Sequence, residues 1–276
     1  METAKRVQRT NRFGSSARFY DVDGTLYPSV TTILGVIGKP ALVGWAAKVE
    51  REACISAACD LWESVPTAPK MARDAYQASL VARIGKLKAS QKLLSKAGDI
   101  GSQTHALIEW WLRRDLKMEV GEEPKVCDPA LWAAMAWQDW AKIVNMAPMG
   151  VEQRVWSRNN GYAGTLDLLA ELTLPDGSRG IVVQDNKTGK AIYKEARLQV
   201  AALGHCLVEM EQLKSMPWGC IVRLPKVETD PAFEVLYIEP EKMHVYCEAF
   251  SAALHLWKWS DAEEHDDNVT MKAEES

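Results

Sequence analysis

Asp167, Asp185 and Lys187 are the residues of this chain whose types and spacing could do chemistry. One residue separates Asp185 from Lys187, so on a β-strand the two side chains share a face. The aspartates lie in the β-rich segments Tyr162 to Leu174 and Gly180 to Asp185, and the intervening Pro175-Asp176-Gly177 is a turn signal. A three-residue loop centred on Asp176 pairs residues whose numbers sum to 352, which places Asp167 opposite Asp185. Directly opposite Cβ atoms are about 4.5–5.5 Å apart, close enough for two carboxylates to share one divalent ion beside the Lys187 ammonium. Phosphodiester hydrolysis needs such a set: a metal to acidify a water and polarise the phosphoryl oxygen, and a cation to orient that water or offset developing charge. Carboxylates fit Mg²⁺ or Mn²⁺. A surface hairpin decorated with charges would carry the same residues, but Ile181-Val182-Val183 reads as a buried strand, where an unpaired charge is costly. In the first segment, Leu166, Leu168, Leu172 and Leu174 mark one face, while Thr165, Asp167, Glu171 and Thr173 mark the other.

Two further groups fit that chemistry. Gly101, His105 and Glu109 recur four residues apart and share one helix face, where the glycine leaves room for a ligand and His105 could complete a metal shell. Lys190, Lys194 and Arg197 continue a basic run from Lys187 into a helix expected over 193–213, suited to phosphates. Trp110, Trp111, Trp137 and Trp140 stand at helical spacing, which favours core packing over base stacking.

The elements that must position these groups are legible from periodicity. Leu42, Trp45, Ala46 and Val49 predict a helix of about 20 residues from Pro40. The stretch 72–95 is helix-permissive, Asp99 is an N-cap candidate for a helix through Trp111, and Pro129 opens another through Ile143. After Pro148 the pattern turns to strands: Val151 to Trp156 and the two segments above form a meander, with further strands at 218–224 and 233–238 and a closing helix at 240–259. The expected fold class is therefore α/β, a mixed sheet flanked by helices with a helical N-terminal half.

Composition allows a sizeable core, 47% of residues being apolar. No run approaches the roughly 18 apolar residues of a membrane helix, so a cytoplasmic protein without membrane contact is expected. The six cysteines are scattered and read as reduced thiols rather than a disulfide framework or a cluster site. The net charge of −4 comes largely from seven acids among residues 261–276. Residues 1–18, with five Lys/Arg, are expected to be a flexible basic arm, 19–260 a single domain, and 261–276 a flexible acidic tail.

Gly101-x-x-x-His105, Glu152 in VEQRVW, GYAGTLDLLAEL with Asp167, VVQDNKTGK with Asp185 and Lys187, and Gln199 in LQVAAL together resemble the PD-(D/E)XK nuclease superfamily, in its RecB-like and phage exonuclease branch. The segment YPSVTTIL at 27–34 is similar to the opening of many such proteins. The resemblance implies a restriction-endonuclease-like core in which His105, Asp167 and Asp185 hold the metal and Lys187 is the catalytic lysine. Gln199 would begin the helix motif that contacts DNA or the site, and Glu109 and Glu152 would support the metal ligands. It further implies a DNA exonuclease of phage or bacterial recombination and repair, whose partners are single- or double-stranded DNA and a second copy or a recombination protein. Two residues depart from the pattern: the second acid is Asp185 rather than the commoner Glu, and Leu203 stands where a tyrosine is expected. A catalytically weak or inactive DNA-binding member of the fold is the alternative. Asp21-Val22-Asp23-Gly24-Thr25-Leu26 matches a haloacid dehalogenase-like phosphatase motif, but residues 11–18 do not read as the buried strand it needs, and Asp23-Gly24 reads as a hairpin turn.

Overall fold

A computed structural model describes residues 4–10, 16–64, 73–84, 88–227 and 233–265. Strands β1 (Ala4–Thr10), β2 (Ser16–Val22) and β3 (Thr25–Pro28) come first, followed by helices α1 (Val30–Ile33), α2 (Pro40–Ser64), α3 (Arg73–Ile84), α4 (Ala89–Asp115) and α5 (Asp128–Ile143). The second half runs β4 (Ala147–Ser157), β5 (Tyr162–Thr173), β6 (Arg179–Lys187), α6 (Lys194–Glu209), β7 (Trp218–Arg223), β8 (Glu234–Ile238) and α7 (Pro240–His265). The chain forms two compact units, Gly38–Ser102 and the remainder, where a single domain over 19–260 was expected.

In the larger unit a mixed sheet has the order β4-β5-β6-β7-β8, with β6 and β7 parallel and the other pairs antiparallel. The parallel pair follows from the α6 crossover between β6 and β7. Helices cover both faces, which makes the fold α/β. On one face Leu169 and Val183 pack with Val200, Leu203 and Leu207 of α6 and Phe250 of α7. On the other, Val151, Leu168 and Val182 pack with Leu107 and Ile108 of α4 and Trp137 and Trp140 of α5. Those two tryptophans are core residues, as their spacing predicted.

The turn chemistry sets the register. Leu168 pairs with Gln184 and Thr173 with Arg179, both on the predicted sum, and Leu174 N–H donates to Ser178 O at 2.8 Å to leave a loop of three residues. Gly177 supplies the left-handed conformation (φ 85°) that closes it, and Asp176 accepts the Ser178 N–H at 2.9 Å. Where α6 crosses β5, a Cβ on Gly164 would lie 2.5 Å from Leu203 Cδ2. Leu203 thus seats against a glycine in the sheet.

The predicted faces of β5 need one correction. Leu168 and Leu172 face α4 and α5, but Leu166 faces α6 and α7. The cause sits opposite, in β4, where Glu152 has the left-handed φ of 48° and interrupts the alternation of the pair.

At the N-terminus, the expected arm is in part a strand. β1 pairs with β2 from Ala4 with Val22 to Thr10 with Ser16, and Ala4, Tyr20 and Val22 pack against Trp156 and Ala163. Arg154 Nη1 donates to Ala4 O at 2.6 Å. Lys5 and Arg6 are exposed, so the strand shows no apolar alternation to read. At the other end α7 extends to His265, past the expected start of the tail, and 266–276 lie outside the described residues.

The phosphatase-like motif also changes context. Asp21 and Val22 end β2, which begins at Ser16 and is the centre of an antiparallel three-stranded sheet; residues 11–15 of the stretch before the motif lie outside the described residues. Asp23 and Gly24 have φ of 50° and 81° and form the β2–β3 hairpin turn, as expected. Asp21 Oδ1 accepts the Gly24 N–H at 2.9 Å and Asp23 pairs with Arg158, so both carboxylates are structurally engaged.

In the smaller unit, α2 has 25 residues from Pro40, and the helix-permissive stretch holds α3 and the start of α4. α4 does not begin at Asp99 but ten residues earlier, at Ala89. The Glu50 carboxylate of α2 accepts Ala89 N–H at 3.2 Å, Ser90 N–H at 2.8 Å and Ser90 Oγ–H at 2.7 Å, capping the helix from outside its own sequence. No single helix among the described residues is long and apolar enough to cross a membrane.

Candidate active site at a fork between strands

The β5–β6 ladder ends at Leu168 with Gln184. Beyond it β5 stays beside β4, while β6 runs on beside β7, Asp185 with Ile221 through to Lys187 with Arg223. The two strands part like a fork, and Asp167 stands in it. Its Oδ2 accepts the Asn186 N–H at 2.9 Å, taking the place of a ladder carbonyl. The Asn186 carbonyl in turn accepts from His105 Nε2 at 3.1 Å, so the main chain of one residue ties α4 and β5 to β6.

On the β5 side, His105, Glu152 and Asp167 each present a ligand atom within 4.8 Å of the others. Glu152 reaches this place because β4 and β5 are joined by a hairpin whose register, Ser157 with Tyr162 and Val151 with Leu168, brings 152 opposite 167. With Nε2–H committed to a carbonyl, a neutral His105 turns the bare lone pair of Nδ1 toward Asp167 Oδ2, 3.4 Å away. Two lone pairs in that relation need a proton or a metal cation between them. A cavity of about 10 Å³ lies among His105, Glu109, Glu152, Asp167 and Asn186, about the size of one small ion or water. One imidazole and two carboxylates on so small a cavity fit a divalent cation. Glu109 borders it and accepts from Arg113 Nε at 2.6 Å.

On the β6 side, Asp185 and Lys187 point toward α6. Lys187 Nζ lies 2.9 Å from Asp185 Oδ1 and 2.7 Å from Oδ2. Gln199 closes the triangle, accepting from Lys187 Nζ at 3.1 Å and donating to Asp185 Oδ1 at 3.0 Å. Asp185 Oδ2 is buried and receives no aligned hydrogen bond, which leaves a lone pair for a further donor or a cation.

Charge crowding shows in the proton affinities. Burial, then the charges of Asp167 and Glu109, push Glu152 up to about 7. Burial alone would lower His105, but the Asp167 carboxylate against it raises it to about 9. Burial and Asp167 lift Asp185 to about 6 against the pull of Lys187. Asp167 itself, despite burial, is held below its ordinary value by His105. Lys187, although burial opposes its charge, is raised by Asp185 and Asp167.

Most of the sequence-predicted residues converge on the fork, in two sets rather than one. His105 and Asp167 stand together, while Asp185 does not join their cluster. Glu152, expected only in a supporting role, takes the third place. The Asn159-Asn160 turn in SRNNGY could have revealed it, since a four-residue loop there fixes 152 opposite 167. Lys190 and Lys194 are exposed. Arg197 lines a separate cleft, because two residues on a helix turn the side chain through about 200° from Gln199. No protein-family model matches the chain, and no curated protein is significantly similar to it.

Proposed function

We propose that the chain is a metal-dependent nuclease that hydrolyses DNA with Mg²⁺ or Mn²⁺ on a restriction-endonuclease-like core, acting as an exonuclease in phage or bacterial recombination and repair. The observation that carries this reading is the pairing, across one fork, of the His105, Glu152 and Asp167 cluster with a buried carboxylate and ammonium.

His105, Glu152 and Asp167 would hold the cation, with Asp185 Oδ2 as a further donor. Bound there, the cation would acidify a water and polarise the scissile phosphoryl group. Lys187, about a third exposed, donates to the attacking water or to the oxygen on which charge develops. Asp185 and Gln199 fix the ammonium at two points, so it enters the reaction already oriented. The exposed Lys190 and Lys194 meet phosphates flanking the scissile one.

The test is digestion of end-labelled linear and covalently closed DNA, with and without Mn²⁺, by wild type and Lys187→Ala. Wild type should degrade linear DNA and spare circles. Lys187→Ala should still fold and bind DNA while cleaving about a thousandfold more slowly or less. Undiminished cleavage by that variant would sink the mechanism. Loss of circles would make the enzyme an endonuclease, and binding without any metal-dependent cleavage would leave the inactive DNA-binding alternative. Phosphate release from small monoesters with both polymers intact would indicate a phosphatase.

A further inference from the structure

Away from the fork, a cleft of about 620 Å³ opens between the first turns of α6 and α7 and the adjoining parts of β7 and β8. Its volume falls in the range of small-molecule sites. Arg197 lines it with a buried Nε that has no partner, and no hydrogen bond or ion pair holds this side chain among the described residues. The planar guanidinium is thus left without an acceptor from the protein, and an oxyanion presenting two oxygens to its fork would supply one. Tyr246 and Leu236, which pack on the α6–α7 face, give it an apolar lining, and Trp218 and Tyr237 border it from residues packed against the opposite face. Lys242 Nζ lies 5.7 Å from the Tyr246 ring centre, a second cation beside a ring.

The acids of the cleft are on its rim. Asp176 and Glu239 are exposed, and Asp176 accepts both the N–H and the Oγ–H of Ser178. Lys242 is exposed there too, and a small ligand can pass this rim to the half-buried Arg197, where a polyanion lying across the opening would meet the two acids. We infer that this cleft binds a small organic anion with a planar ring, its oxyanion head on Arg197 and its ring against Tyr246. A nucleoside monophosphate and an aromatic carboxylate both have this chemistry. Nothing in the cleft depends on the fork being hydrolytic.

Calorimetric titration of the full chain in EDTA, with dAMP, benzoate, deoxyadenosine and inorganic phosphate, tests the assignment. At least one ring-bearing anion should bind, and more tightly than the uncharged nucleoside or the ringless phosphate. Preference for dAMP or for benzoate identifies the head group. Arg197→Gln should weaken that binding about tenfold or more, and Lys187→Ala should leave it unchanged. Should Arg197→Gln fail to fold, Tyr246→Leu and Lys242→Gln each replace it, with losses of severalfold expected. Absence of binding by both ring-bearing anions at millimolar concentration overturns the site, as does unchanged binding in the cleft variants. Loss of dAMP binding in Lys187→Ala would place the ligand at the fork instead. Loss of oligonucleotide rather than dAMP affinity in Arg197→Gln would return Arg197 to the path of the polymer.

Discussion

The two sides of the fork differ in how their charges are answered. On the β5 side two carboxylates and an imidazole crowd together, with one peptide N–H and one peptide carbonyl as their main-chain partners. On the β6 side a single carboxylate is held by an ammonium and an amide in a closed triangle. The first set needs protons or a cation to offset its charge, and the second carries its own counter-charge. The contrast separates holding an ion from orienting a reactive group, and each can be perturbed alone.

The largest effect is expected from Asp167→Asn, which removes the charge that the β5 cluster shares. Mn²⁺ affinity should fall by about two orders of magnitude, measured by calorimetry, with cleavage lost in parallel. Gln199→Ala should leave Mn²⁺ affinity nearly untouched while lowering the cleavage rate about tenfold through a less well held Lys187. Equal loss of ion affinity in both variants would erase the distinction between the two sides.

Glu152→Gln should separate ion binding from stability. Burial and neighbouring carboxylates raise Glu152 from 4.5 to about 7, so its contribution to stability is full below 4.5 and lost as pH rises through 7. His105, which burial would lower but Asp167 raises from 6.5 to about 9, contributes fully below 6.5 and loses that contribution as pH rises through 9. The cation-free protein should therefore melt at lower temperature as pH increases from about 5 to 9, and Glu152→Gln should flatten the lower half of that decline. Mn²⁺ should bind more tightly over the same range, because His105 and Glu152 must release their protons to accept it. A melting temperature in EDTA that rises with pH, or a mutant profile parallel to wild type, would refute this account.

Gly164→Ala bears on the packing behind the fork. Its new Cβ would meet Leu203 Cδ2 at 2.5 Å, and forcing the leucine aside should cost about 1–3 kcal/mol in urea unfolding. The smallest effect belongs to the other compact unit. Glu50→Gln should speed amide exchange at Ala89 and Ser90 and leave cleavage unchanged, since the cap lies among residues 38–102.

What the sequence disclosed and withheld follows from the range of each interaction. The β5–β6 register depends on a turn of three residues, so Pro175-Asp176-Gly177 was enough to place Leu168 opposite Gln184. That register also put Asp167 level with Asp185, but not the parting of the strands there, which depends on β6 continuing along β7. The facing of Leu166 was misread because one left-handed residue in the neighbouring strand, Glu152, alters an alternation that β5 alone presents as regular. The start of α4 was misplaced for a similar reason: Asp99 looks like a local cap, whereas the working cap is Glu50, nearly forty residues upstream. Lys187 and Gln199 could be matched to a known pattern, but their joint grip on Asp185 appears only when α6 lies against β6.

Residue 186, between the acid and the lysine, serves its neighbours with main-chain atoms: the N–H goes to Asp167 and the carbonyl to His105. Its identity is therefore nearly invisible to both. Its side chain is committed elsewhere, the buried Oδ1 accepting from Gln184 Nε2 at 2.7 Å, so a replacement would be felt by that amide rather than by the acid or the imidazole. Proline is the exception, because without an N–H it would leave Asp167 untethered.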